Sequence, residues 1–180
     1  MKHAIYQGVS AFLIALAVAA PHGALAESHS VPRVDPARFY KGTWLEVARR
    51  PMWITDGCVV GTTSYRKGAQ PNEVLVRDTC RKGGLSGAET VLEGVGEIRD
   101  PGINARIDVH YNPLLTVQYN IVDHAKDYSW FIGTSPTLDN LFIYTRARPS
   151  KKALDALVMR ARALGYDTST LEFPWGSGKN

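Results

Sequence analysis

Short apolar runs rich in β-branched residues alternate with polar turns along most of this chain. The runs have the length of strands, and the segments between them carry the Gly, Pro, Asn and Asp residues typical of turns. The pattern predicts eight consecutive antiparallel strands, at Gly42–Arg50, Val59–Tyr65, Glu73–Cys80, Thr90–Arg99, Ile103–Tyr111, Thr116–Asp123, Asp127–Gly133 and Asn140–Arg146. Evenly spaced strands without helical periodicity between them favour an all-β, up-and-down barrel.

Helical patterns flank the predicted barrel. Asp35 and Pro36 fit the N-cap and the first position of a short helical turn. After the last strand, a segment from Pro149 to Gly165 has apolar residues at helical spacing, namely Leu154, Leu157, Val158, Ala161 and Leu164. Its other face carries Lys151, Lys152, Arg160 and Arg162. We expect a surface helix packed on the barrel, followed by a short closing strand at Thr168–Phe173.

The N-terminus has the pattern of a secretory signal. Lys2 precedes an apolar core at 11–20, and Ala24-Leu25-Ala26 fits a cleavage site. The core is too short to span a bilayer. We expect a cleaved signal peptide at 1–26, a flexible lead-in at 27–34, one barrel domain at 35–175 and a tail at 176–180. The mature protein is then expected to be soluble, in the periplasm or secreted.

Charge and composition restrict the partners. The chain has 21 Lys and Arg against 17 Asp and Glu, a net charge of +4. So mild a balance argues against a nucleic-acid surface, although it allows peripheral contact with anionic lipid headgroups. The sequence indicates no cofactor and no metal site.

Cys58 and Cys80 are the only two cysteines. In an oxidising compartment an isolated pair is most simply a disulfide, and a zinc site would need more ligands. If the second and third strands form a hairpin in which Tyr65 faces Glu73, then Cys58 faces Cys80.

Four stretches resemble motifs of the lipocalin family, and in particular of bacterial lipocalins related to apolipoprotein D. Gly42-Thr43-Trp44-Leu45-Glu46-Val47-Ala48-Arg49 resembles the opening signature, with Leu45 where a tyrosine is usual. Asp127-Tyr128 is similar to the end of the second motif. Arg146 resembles the arginine of the third motif, for which Arg148 is a rival. The surroundings of Cys58 and Cys80 are similar to those in the bacterial subgroup.

The resemblance implies a barrel that holds one lipophilic small molecule. Its floor would be closed by Trp44, with Arg146 packed across the indole. Loops 51–57, 81–89, 112–115 and 134–139 would surround the open end. The implied ligand is a fatty acid or lysophospholipid, and the implied role is lipid transport, storage or repair in the cell envelope, by a monomer or homodimer. The loop from His110 to Leu115 lacks the Phe-rich, Gly-rich form common in the family, which leaves the ligand open.

Aromatic residues on the predicted strands, and one in the first loop, are the candidates for the pocket wall. They are Trp53, Tyr65, Tyr111, Tyr119, Trp130, Phe142 and Tyr144.

Two other functions stay open at this point. One is a barrel enzyme, such as an isomerase, an epoxide-handling enzyme or a lipid hydrolase. Acid–base chemistry would then fall to His110 or His124, which lie near opposite ends of the predicted barrel. We assign no catalytic residue, because the sequence has no Gly-x-Ser-x-Gly motif and no free cysteine once Cys58 and Cys80 pair. The other is an envelope interaction protein that docks through the basic helix face at Lys151 and Lys152.

Overall fold

A computed structural model describes residues 31–136 and 139–175. The predicted signal peptide, residues 27–30 of the lead-in and the predicted tail lie outside the described residues. In the described part, no helix has the length and apolar character needed to cross a membrane.

Eight antiparallel strands form a closed barrel in which each strand pairs with the next and β8 pairs with β1, so the predicted fold is confirmed. The strands are β1 Gly42–Arg49, β2 Cys58–Lys67, β3 Glu73–Lys82, β4 Glu89–Ile98, β5 Arg106–Asn112, β6 Leu115–His124, β7 Trp130–Ser135 and β8 Asn140–Thr145. Helix α1 spans Pro36–Phe39, a 3-10 turn spans Trp53–Thr55, and helix α2 spans Lys151–Ala163.

Three predicted boundaries were wrong for local reasons. β5 begins at Arg106 because Asp100 accepts hydrogen bonds from the backbone N–H groups of Ala105 and Arg106, which holds the preceding residues in a turn. β7 begins at Trp130 because Asp127 accepts from the Ser129 N–H and Tyr128 has a φ of 59°. The predicted closing strand is reduced to one bridge between Arg49 and Glu172.

The lead-in joins the barrel earlier than predicted. Val34 is buried, and its N–H donates to the carbonyl of Ile103 at 2.8 Å. Asp35 caps α1 through the Ala37 N–H, as its position predicts.

Two apolar clusters lie on opposite sides of the sheet. One fills the floor and lower interior of the barrel and includes Phe39, Trp44 and Phe131. The other lies between the outer surface of the barrel and α2, where Leu157 and Ala161 pack on Ile132 and Ile143. α2 therefore buries its apolar face on the barrel, as its periodicity predicts.

The basic face of α2 is largely engaged within the molecule. Lys151 pairs with Asp155 at 2.7 Å, and Arg160 pairs with Asp123 while lying over the Trp130 ring. Arg162 donates to the hydroxyl of Thr168. These contacts leave fewer cations for the docking role than the sequence pattern indicates.

Candidate ligand-binding cavity

A cavity of about 400 Å3 occupies the barrel and extends to the end at which β1 and β3 finish, where Met52 and Ile54 of the loop after β1 and Lys82 of β3 line it. Its volume lies within the range of small-molecule sites. At the floor end the lining is mainly apolar or aromatic, from Phe39, Tyr65, Val76, Ile107, Ile121 and Phe131. The mouth is lined by residues that include Met52, Ile54, Lys82 and Asn140.

The floor is closed by Trp44 and Arg146. Trp44 is fully buried, and its indole N–H donates to the carbonyl of Phe39 at 3.2 Å. The Arg146 guanidinium lies 3.5 Å from the centre of the Trp44 ring. It also donates to the carbonyls of Lys41, Thr43 and Phe39, which are near the end of α1 and the start of β1.

The rival arginine occupies another place. Arg148 donates to the carbonyl of Trp175 at 2.7 Å, near the C-terminal end of the described chain. Arg146 is therefore the residue with the geometry expected of the third motif. Tyr128, from the second motif, supports the same floor by accepting from the Asp35 N–H at 2.8 Å.

At mid-depth the wall carries a ring of polar side chains, here called the polar belt. It comprises Glu46, Thr63, Asp78, Tyr111, Tyr119 and Tyr144, all of which line the cavity. These side chains come from β1, β2, β3, β5, β6 and β8. Strand alternation turns each of them inward, as it does the apolar residues two positions away.

Asp78 lies at the centre of the belt. Thr63 donates to its Oδ1 at 2.6 Å and Tyr111 donates to its Oδ2 at 2.5 Å. The Tyr111 hydroxyl is also 3.1 Å from that of Tyr119. Burial raises the pKa of Asp78, while the hydrogen bonds from Thr63 and Tyr111 oppose the shift. No basic side chain among the described residues forms an ion pair with Asp78.

Glu46 is the second carboxyl of the belt, and it has a cation. Arg49 donates to Glu46 Oε2 at 2.7 Å and is itself only 1% exposed. Burial still raises the pKa of Glu46, with Arg49 acting in the opposite direction. Gly61 faces Glu46 across the β1–β2 pair, and a Cβ there would lie 2.5 Å from Glu46 Oε2. Glycine at this position therefore leaves room for the carboxyl.

Arg49 also fixes the first mouth loop. It donates to the carbonyls of Cys58 at 2.8 Å and Thr55 at 3.3 Å, and it pairs with Glu172. One buried guanidinium thus connects β1, the loop after it and the C-terminal segment. Arg49 does not itself line the cavity. In the described part, Glu46, Asp78 and Lys82 are the charged residues that do.

The predicted disulfide is confirmed, and it lies at the mouth. Cys58 and Cys80 are joined with a Cα–Cα distance of 5.5 Å, and both line the cavity. The predicted register was wrong, because Tyr65 faces Val76 and Cys80 faces Gly61. An irregularity between Cys58 and Val60 brings Cys58 onto the inner face beside Cys80. A disulfide of this kind is typical of proteins outside the reducing cytoplasm.

Five of the seven predicted wall residues line the cavity: Tyr65, Tyr111, Tyr119, Phe142 and Tyr144. The placement of Trp130 in the wall was wrong, because it lies outside the barrel against α2, where Arg160 covers it. Trp53 stands in the first mouth loop and is 81% exposed, so it is at the rim without lining the cavity.

Neither predicted histidine lines the cavity. His110 is exposed on β5, with Nδ1 2.9 Å from the Thr116 hydroxyl. His124 is near the floor, where its ring stacks on Tyr128 and Nε2 lies 3.1 Å from the carbonyl of Arg33. The residues that the sequence reasoning missed are Glu46, Thr63 and Asp78. Asp78 could have been found from parity, because it is two positions from the inward-facing Cys80.

Comparisons with known proteins agree with this architecture. The model of the lipocalin-like domain matches residues 34–175. A protein of Acanthamoeba polyphaga mimivirus whose name places it among lipocalins is 27% identical over 142 residues, which cover 73% of this chain and 79% of that protein.

Solved structures show the same fold at low sequence identity. Insecticyanin from the tobacco hornworm Manduca sexta has a TM-score of 0.61 and 15% identity, covering 80% of this chain and 82% of insecticyanin. Lobster apocrustacyanin A1 has a TM-score of 0.57 and 15% identity, covering 82% of this chain and 91% of that chain. The family-model match spans most of the sequence, and the protein therefore belongs to the lipocalin-like domain family.

Proposed function

We propose that this protein binds a lipophilic small molecule of the single-chain amphiphile class inside the barrel. The observation that supports this most directly is the cavity, which opens at one end and is sealed by Trp44 and Arg146 at the other. Its aromatic and aliphatic lining would bury hydrocarbon, at about 0.8 kcal/mol per CH2 group. The family membership supports the same function.

The cellular role that we propose is the transport, storage or repair of envelope lipids after export to the periplasm or beyond. The disulfide supports an oxidising compartment, and the N-terminal pattern supports export. Fatty acids and lysophospholipids are the two ligand classes that the sequence favours. They share a hydrocarbon chain and differ in the head group, which is a carboxylate in the first and a glycerophosphate ester in the second.

A neutral fluorescent probe tests this function without depending on head-group charge. We expect N-phenyl-1-naphthylamine, which is uncharged at neutral pH, to bind the mature protein saturably at one site, with increased emission. Val117→Trp should abolish this signal, because Val117 is buried on β6 and lines the cavity.

Thr116→Trp is the matched control. Thr116 is the neighbouring exposed residue on β6, so the same side chain is added on the outer surface. Circular dichroism would establish that both variants fold. Equal probe binding by folded Val117→Trp and by the wild type would contradict binding in the barrel. Native mass spectrometry after incubation with an envelope lipid extract would then identify the class of any natural ligand by its mass.

A further inference from the structure

The balance of charge inside the cavity indicates which head group can enter it. The cavity holds two carboxyls at mid-depth, Glu46 and Asp78, whereas its lining cation, Lys82, is at the mouth. Arg49 neutralises Glu46 from behind the wall. Asp78 therefore faces the cavity with hydroxyl partners alone, from Thr63 and Tyr111.

The belt is continuous around the two carboxyls. Thr63, which contacts Asp78, also lies within hydrogen-bond distance of the Tyr144 hydroxyl, at 3.2 Å. That hydroxyl donates in turn to Glu46 Oε1 at 3.4 Å. A group that reaches mid-depth would thus meet both carboxyl groups and the hydroxyls between them. These groups offer several acceptor oxygens to a ligand and no positive charge.

Aromatic rings surround the same depth of the cavity. The Tyr119 and Phe142 centroids are 5.7 Å apart, and those of Phe142 and Tyr144 are 5.5 Å apart. All three residues line the cavity. Ring faces attract cations through their quadrupole, and the effect grows when water is excluded. A cation is therefore favoured over an anion wherever a face of these rings is open to a ligand.

An anionic head would be unfavourable at this depth. It would lose its hydration and add a like charge beside Asp78. Among the described residues, the cation that lines the cavity, Lys82, is at the mouth and not at this depth. An ammonium group would instead supply the cation that Asp78 lacks, and it could donate hydrogen bonds to the belt oxygens.

We propose that the cavity selects a lipophilic amine, with its cationic nitrogen at the polar belt beside Asp78 and its hydrocarbon part along the apolar lining. This inference rests on the proposed function, since it specifies the ligand of the same cavity. Among single-chain amphiphiles it favours those that carry an amine over fatty acids.

Three ligands of one chain length test the inference. Decylamine, decan-1-ol and decanoate would be titrated against the mature protein at pH 7 by isothermal calorimetry. Decan-1-ol is the neutral reference for the cavity itself. We expect decylamine to bind at least about tenfold more tightly than decanoate, equivalent to about 1.4 kcal/mol.

Asp78→Asn locates the preference. It is nearly isosteric, removes the charge, and should reduce the decylamine-to-decanoate ratio severalfold while leaving decan-1-ol affinity close to that of the wild type. Asp56→Asn is the matched control, because Asp56 is exposed in the first mouth loop and is not among the residues that line the cavity; it removes the same charge and should leave decylamine affinity unchanged. Folding of each variant would be checked by circular dichroism, and the wild-type ratio tests the inference even if Asp78→Asn does not fold.

The outcomes separate the two proposals. If decan-1-ol binds and decanoate binds more tightly than decylamine, the amine inference is overturned. It is also overturned if folded Asp78→Asn keeps the wild-type ratio of decylamine to decanoate affinity. In both cases the barrel remains a binding site. If none of the three ligands nor the naphthylamine probe binds to folded protein, the proposed function itself fails.

Discussion

The floor and the polar belt both place charged side chains among aromatic rings, but the charges have different partners in the two regions. At the floor, Arg146 has an aromatic face and several backbone carbonyls as partners. In the belt, Asp78 is half-buried at the cavity wall, with hydroxyl partners and no ion pair among the described residues. Burial of a charge is costly unless it is paired. The floor is thus arranged for stability, whereas the belt keeps a destabilising group in contact with the cavity.

The largest effect should come from removing the centre of the floor. Trp44→Ala would leave a cavity beneath Phe39 and Phe131, whose rings lie 5.1 Å and 4.8 Å from the indole. We expect the free energy of unfolding to fall by about 3–5 kcal/mol. Urea denaturation measures this directly.

Trp53→Ala is the control, because Trp53 is 81% exposed in a mouth loop. It should change the free energy of unfolding by no more than about 0.5 kcal/mol. Similar losses in the two variants would show that the floor is not the stabilising region.

A smaller effect is expected at the arginine that covers Trp44. Arg146→Lys keeps the charge but loses the planar fork that contacts the indole and reaches several carbonyls together. We expect a loss of about 1–2 kcal/mol in the free energy of unfolding. Thermal and urea denaturation would both report it.

Arg148→Lys provides the comparison for this variant. Arg148 contacts the carbonyl of Trp175 and is not part of the floor. Its replacement should cost no more than about 0.5 kcal/mol. If the free energy of unfolding falls more in Arg148→Lys than in Arg146→Lys, then Arg148 and not Arg146 has the stabilising role.

The sequence predicted the barrel because strand patterns and turn residues are local signals. It also located Trp44 and Arg146, whose places follow from family motifs. The pairing register of β2 with β3 was harder to predict from the sequence. An irregularity between Cys58 and Val60 shifts this pairing, and short-range sequence patterns do not reveal such a shift. The disulfide was still predicted correctly, because two lone cysteines in an exported chain have few alternatives.

The cavity was harder to predict than the fold because a wall residue is defined by strand parity. Trp130 was placed inward on aromatic character alone, yet it lies under Arg160 outside the barrel. Asp78 was overlooked for the opposite reason, since a carboxyl within a strand is usually solvated. What makes Asp78 distinctive is its contact with Thr63 and Tyr111 from β2 and β5, which only the closed barrel brings together.

The last prediction concerns the pH dependence of stability, which distinguishes the belt from the floor. Burial raises the pKa of Asp78 in the folded protein, above a value of about 3.9 for an unfolded chain. The folded state then binds more protons than the unfolded state between these two pKa values. The contribution of this carboxyl to stability is therefore fully present below about pH 4 and is lost as pH rises through the folded pKa.

Asp78→Asn should remove that loss, so its free energy of unfolding should fall less than that of the wild type as pH rises from about 4. One proton changes the slope by at most about 1.4 kcal/mol per pH unit. Part of the wild-type decline should persist in the variant, because the pKa of Glu46 is raised by burial as well. Urea denaturation at a series of pH values would measure both slopes, with the exposed Asp56→Asn as the control. If the free energies of unfolding of the wild type and Asp78→Asn change with pH in parallel, Asp78 stays ionised at little cost to stability. The charges of the belt would then be satisfied, as those of the floor are.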